Sequence, residues 1–241
     1  MIVVVGVPAW RAADPAAPAG RACEVAIAAA QRGARVELVG RTGDDPAGDQ
    51  LLLALTQAGV GHVAMLRDPA RATPIIEAEA EGDVESAVEG DVELDVEPGA
   101  GLPDGPGRAA DAETGAATAT GMPAPDRTPV LEPADVSLGL GYLTAFGVLV
   151  VTDDVPEAVI PASIEAAAFT GAHLVLLVPA GGIAPGSLPG ASTVLAAPIG
   201  NDGAAFAALV AAYAASLDVG VAPADAFAAA TGDSGWEPLH P

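Results

Sequence analysis

Between residues 2 and 66 the chain alternates short β-branched runs with Ala-rich stretches of helix formers, and that alternation leaves few folds open. Ile2 to Val7 is a β-branched run closed by Gly6 and Pro8, which reads as a buried strand. Pro15 to Gly20 reads as a loop. Arg21 to Arg32 reads as a helix stopped by Gly33. Arg35 to Val39 is a second strand, and Thr42-Gly43-Asp44-Asp45-Pro46 is a turn that caps a helix from about Ala47 to Ala58. His62 to Leu66 is a third strand. This order and spacing predict right-handed crossovers and a largely parallel sheet.

The second half returns to the same texture. Val136 to Leu140 and Leu149 to Thr152 read as strands, Val155 to Phe169 as a helix, and His173 to Val178 as a strictly apolar strand. Ser192 to Ala196 reads as a last short strand. Asn201 to Leu217 and Pro223 to Ala230 are Ala-rich helices, followed by a loop tail. The whole, residues 1–241, is expected to be one α/β domain with two appendages. Residues 73–98 alternate apolar and acidic side chains around a Glu89-Gly90-Asp91 turn, which favours an antiparallel hairpin over a disordered acidic stretch. Residues 104–130, rich in Gly, Ala, Pro and Thr, read as a flexible insertion.

Composition removes several function classes. The net charge is −23, and the nine basic residues are all Arg. Sixteen of the 32 acids lie between Glu77 and Asp135, opposed there only by Arg108 and Arg127. Such a surface repels phosphate backbones and anionic headgroups, so neither nucleic acid nor a membrane surface is an expected partner. Cys23 stands alone, which leaves no internal disulfide and no cysteine metal site. The start, MIVVVGVPAW, lacks a basic flank and reads as a strand, so a cytoplasmic setting is expected. His62, His173 and His240 are scattered through the sequence and are read as structural or surface residues.

Three stretches carry a family resemblance. Residues 20–60 contain Val39-Gly40, Gly43-Asp44-Asp45, Gly48 and Ala58-Gly59-Val60, matching position by position the N-terminal signature of the PfkB/ribokinase family of sugar and nucleoside kinases. The hairpin from Thr73, followed by Glu97-Pro98-Gly99-Ala100, resembles the β-lid those kinases lay over the sugar, and Ala134-Asp135-Val136 with Gly141-Tyr142-Leu143 resembles the strand that comes next. Gly203-Ala204-Ala205-Phe206 with its Ala-rich helix resembles the helix after the family's catalytic "GAGD" turn. The resemblance implies a ribokinase-like three-layer sandwich with a small antiparallel lid, and a homodimer paired through that lid.

It also implies a chemistry, and this chain departs from it. Phosphoryl transfer to a sugar hydroxyl needs a carboxylate base, an anion hole at a helix N-terminus, and MgATP. The GAGD turn should supply base and anion hole, but here it reads Gly200-Asn201-Asp202-Gly203 and the aligned base position is Gly203 or Ala204. Asp202 is the displaced candidate base; Gly200, Asn201 and Gly203 are the candidate anion hole. On the sugar side the matching positions are Arg11, with Asp14 nearby, Gly20, and Glu24 in place of the family's Asn. Between Leu195 and Gly200 the segments that handle nucleotide and Mg²⁺ are missing. The expectation is a degenerate, shortened member that binds a sugar, a nucleoside or a partner without catalysis. An active MgATP-dependent kinase with Asp202 as base is the alternative. No metal ligand set is expected.

Overall fold

The computed structural model describes residues 1–13, 15–77, 128–143, 145–198 and 203–234. Six parallel strands form the central sheet: β1 (Ile2–Val5), β4 (Val36–Gly43), β5 (Val60–Asp68), β7 (Val148–Val151), β8 (His173–Val178) and β9 (Ser192–Ala196), in the order β5-β4-β1-β7-β8-β9. A second, three-stranded sheet, β3-β2-β6, joins β2 (Ala9–Ala12) antiparallel to β3 (Ala17–Ala19) and parallel to β6 (Ile75–Glu77). The helices are α1 (Arg21–Gln31), α2 (Pro46–Gln57), α3 (Pro133–Tyr142), α4 (Val159–Thr170), α5 (Gly203–Asp218) and α6 (Pro223–Ser234).

Strand side chains alternate between faces, and both faces of this sheet are covered. Ile2 and Val4 of β1 join Val36, Leu38, Val148, Val150 and Leu177 beneath α1, α2, α5 and α6. Val3 and Val5 join Val39, Leu149, Val151, Leu174 and Leu176 beneath α3 and α4. Every residue of β1 is fully buried, which is why this strand and its central neighbours read as unbroken apolar runs. The result is the expected three-layer α/β sandwich.

The Gly43-Asp44-Asp45-Pro46 turn follows from local hydrogen bonding. Asp45 is the N-cap of α2, and its Oδ1 accepts from the Gly48 N–H at 2.8 Å. The same carboxylate accepts from the Thr73 hydroxyl at 2.6 Å and the Thr73 N–H at 2.8 Å. Having donated its hydroxyl proton to Asp45, Thr73 accepts from Gly43 N–H and from the Thr42 hydroxyl. One carboxylate thus fastens the start of α2 to the chain leading into β6. Gly48 leaves this space open, since a Cβ there would lie 2.5 Å from the Gly43 carbonyl oxygen.

Two local readings are corrected. Residues 136–140, expected as a strand, lie inside α3. Glu132 and Asp135 form a reciprocal capping box and Pro133 sits in the first turn, so the segment starts as a helix. Val136, Gly139 and Leu140 then face the core at helical spacing. The loop expected over Pro15 to Gly20 contains β3. Its Ala-Pro-Ala sequence lacks the β-branched signature, and pairing with β2 makes it a strand. Of the hairpin expected at 73–98, residues 73–77 are described and supply β6; residues 78–98 and nearly all of 104–130 lie outside the described residues.

Burial opposes ionisation of Asp45, but hydrogen bonds from Thr73 and Gly48 and the nearby Arg67 outweigh it and hold its pKa below the ordinary 3.8. Its contribution to stability is therefore complete above that ordinary value and lost as pH falls through the lowered one. Asp45→Ala is expected to cost about 1–3 kcal/mol at pH 7. Calorimetric melts of the two proteins should converge in strongly acidic buffer.

Candidate functional site

The strand order reverses between β1 and β7: the chain builds outward from β1 through β4 to β5, then crosses to β7, β8 and β9. In open α/β sheets, ligands bind outside the carboxyl ends of the strands at such a switch point. Gly6 follows β1 there and Thr152 follows β7. A Cβ on Gly6 would lie 2.2 Å from the Thr152 hydroxyl and 2.5 Å from the Ala22 Cβ, so only glycine lets β1, β7 and α1 meet.

Thr152 is fully buried and its N–H donates to the Val5 carbonyl at 3.0 Å. Its hydroxyl lies within hydrogen-bonding reach of both the Val5 carbonyl, at 3.1 Å, and Asp154 Oδ1. Val7 N–H donates to the same Asp154 oxygen at 3.4 Å. Asp154 shows surface to solvent, yet the protein around its carboxyl raises its pKa. Burial is the main cause; the charge of Asp153 adds to it, and the bonds from Thr152 and Val7 oppose it.

Arg21, the first residue of α1, binds three elements together. Its Nε faces Asp153 Oδ1 at 3.3 Å, and its Nη1 donates to the Gly203 carbonyl at 3.0 Å. Its guanidinium lies 5.1 Å from the centre of the Phe206 ring. The amino ends of α1 and α5 therefore converge on the residues that follow β7. Gly20, just before Arg21, has φ 86° and ψ 153°, a conformation essentially reserved for glycine, and is the N-cap of α1. Cys23, on the buried face of α1, has its thiol pushed up to about 12 by burial, which leaves it unreactive near neutral pH.

Thr152 and Asp153 also line a cavity of about 890 Å³. It lies between the ends of β7 and β8, the start of α4, and the loop 179–187.

Comparison with known proteins identifies the scaffold. Residues 16–89 match the family described as pfkB family carbohydrate kinase. That segment of the chain is thus similar to the PfkB family. No curated protein matches it by sequence. Among solved structures, the protein Sa239 is 14% identical, with a TM-score of 0.61 over 99% of this chain and 95% of that one. The ribokinase of Arabidopsis thaliana, solved with ribose and ATP, is 12% identical, with a TM-score of 0.58 over 97% of this chain and 90% of that one. At these identities the likeness is one of fold.

The PfkB signature residues now have places. Arg11 on β2 and Glu24 on α1, both expected on the sugar side, form a half-exposed ion pair at 3.8 Å. Gly20 is one turn away on the same helix start. Gly203 opens α5, with its carbonyl bound by Arg21. Asp14, Gly200, Asn201 and Asp202 lie outside the described residues. Sequence reasoning missed Arg21, Thr152, Asp153 and Asp154. A Thr-Asp-Asp run directly after an apolar strand was a usable signal, but its weight depended on knowing that the strand order reverses beside that strand.

Two outcomes are expected from this geometry. Arg21→Met should cost about 1–2 kcal/mol, because the partly buried Asp153 loses its cation. Thermal melts would read this as a drop of about 2–8 °C. The raised pKa of Asp154 means that the folded state holds its proton longer than the unfolded chain does. The stability this confers is complete below the ordinary carboxylate range and is lost as pH rises through the folded value. Asp154→Asn should therefore raise the melting temperature more at pH 7 than at pH 4.

Proposed function

We propose that this chain is a PfkB carbohydrate-kinase-like protein that uses the kinase scaffold to bind a small molecule or a partner, without transferring phosphate. The observation that supports this most is the passage from β9 to α5. β9 ends at Ala196 and α5 begins at Gly203, so residues 197–202 alone connect them. Six residues at most can serve where a kinase of this family places its Mg²⁺- and nucleotide-handling segments.

Features of the described residues support the same reading. Asp153 is engaged by Arg21, and the Arg21 guanidinium lies against the first carbonyl of α5. Among the described residues no three potential metal-ligating side chains come together. Positions 203 and 204, which align with the family's base, are Gly and Ala. What these residues do supply is a preorganised crevice. Thr152 and Asp154 can accept or donate hydrogen bonds to hydroxyls, and the Arg11–Glu24 pair can open toward a polar ligand. A sugar or nucleoside is the ligand class that suits such groups. The second reading, an active kinase, rests on Asp202 standing one residue before α5.

Thermal melts with MgATP, MgADP, and a panel of sugars and nucleosides test the proposal. A ligand at a hundredfold its Kd stabilises by about 2.7 kcal/mol, roughly 5–10 °C for a chain of this size. The expected result is a flat response to both nucleotides and a shift with a sugar or nucleoside. A comparable shift with MgATP would contradict it.

The proposal includes a homodimer paired through residues 73–98. Ile75 and Ile76 of β6, 55% and 42% exposed, present an apolar start to such a surface. Light scattering should give twice the chain mass of 23.5 kDa. A monomer at all working concentrations would remove this part. No helix among the described residues is long and apolar enough to cross a membrane.

A further inference from the structure

The cavity beside the switch point has a chemistry of its own. Ile160 and Ile164 of α4 and Leu177 of β8 make its wall. Its charged lining is wholly acidic: Asp153, Glu157 and Glu165. Arg21 engages Asp153, and Glu157 stands just before α4, where a carboxylate offsets the partial positive charge of the helix end. Among the described residues no cation within ion-pair distance opposes Glu157 or Glu165. The chain as a whole carries a net charge of −23, which favours cations over anions as ligands.

We infer that this cavity binds a small organic cation, an amine carried on an apolar body. The inference goes beyond the binding-protein reading, which puts a sugar or nucleoside at the neighbouring crevice, by giving this cavity a ligand of its own. About 890 Å³ lies in the range of cavities that enclose small molecules on an apolar wall with a few placed polar groups. The apolar body would lie along Ile160, Ile164 and Leu177, with the ammonium toward Glu165 and Glu157. A phosphate-bearing ligand would meet only carboxylates here. A neutral polyol would leave the apolar wall without a partner.

Three nearly isosteric probes that differ in charge test this: tryptamine, tryptophol and indole-3-acetate, titrated into the intact protein by calorimetry and located by NMR shift changes. Tryptamine is expected to bind, with shifts at residues 152–165 and 177–187, and to weaken as salt rises. Tryptophol should bind more weakly and indole-3-acetate least. Glu165→Gln and Glu157→Gln should each weaken tryptamine by about two- to fivefold while leaving tryptophol unchanged. Equal affinity for all three probes, tighter binding of the acid, shifts elsewhere on the protein, or no binding up to millimolar probe would overturn the inference. Nucleotide binding measured in the same buffer bears separately on the non-catalytic reading, so the two can fail independently.

Discussion

The close approach of β1, β7 and α1 at Gly6 is the constraint on which the rest of the candidate site depends. Any side chain at that position would meet the Thr152 hydroxyl and Ala22 at sub-contact distance. Because it is absent, the end of β7 comes alongside Val5 and Val7, and Thr152 can hold Asp154 in place. The same approach brings the start of α1 close enough for Arg21 to reach Asp153 and Gly203. A crevice between two strands thereby becomes a set of fixed polar groups over a fully apolar core. Such groups are costly to leave unpaired in that setting, and each of these has a partner.

The polar interactions away from the crevice fasten the frame. Asp45 ties α2 to the entry of β6, and Arg41 ties β4 to α3 through Asp135 at 3.0 Å and the Val130 carbonyl at 3.3 Å. Both lie at the carboxyl end of the sheet. At the opposite end, His173, Thr193 and Tyr213 link β8, β9 and α5 in one hydrogen-bonded chain at 2.9 and 2.7 Å. Burial lowers the pKa of His173, as suits a group whose neutral form fits that chain. Thus α5 is fixed at two points, by Arg21 at its start and through Tyr213 further along, and it carries Gly203 into the crevice in a defined orientation.

Much of this frame was legible because it is local. The apolar runs of β1, β8 and β9 and the Gly33 stop of α1 are written in consecutive residues, and His173–Val178 and Ser192–Ala196 were read to the residue. Residues 136–140 misled because Val-Ser-Leu-Gly-Leu alternates like a strand, while the signal that decides it, the Glu132–Asp135 capping box, lies just before it. β3 was invisible because its strand character comes from β2 and not from its own side chains. The site was legible only in part, for the same reason. Gly20, Glu24 and Arg11 follow from a family pattern, whereas the Arg21–Asp153 contact joins residues 132 positions apart and becomes visible only once the sheet order is known.

The central claim is that this chain keeps the PfkB scaffold without phosphoryl transfer. Phosphorus NMR of the protein incubated with MgATP and a mixture of sugars and nucleosides tests it most directly, because it registers any phosphate ester whatever the acceptor. The account predicts that the three ATP resonances persist and no ester signal grows. An ester that accumulates with wild-type protein, and is lost in a folded Asp202→Asn variant, would contradict it and establish Asp202 as the base of a working kinase.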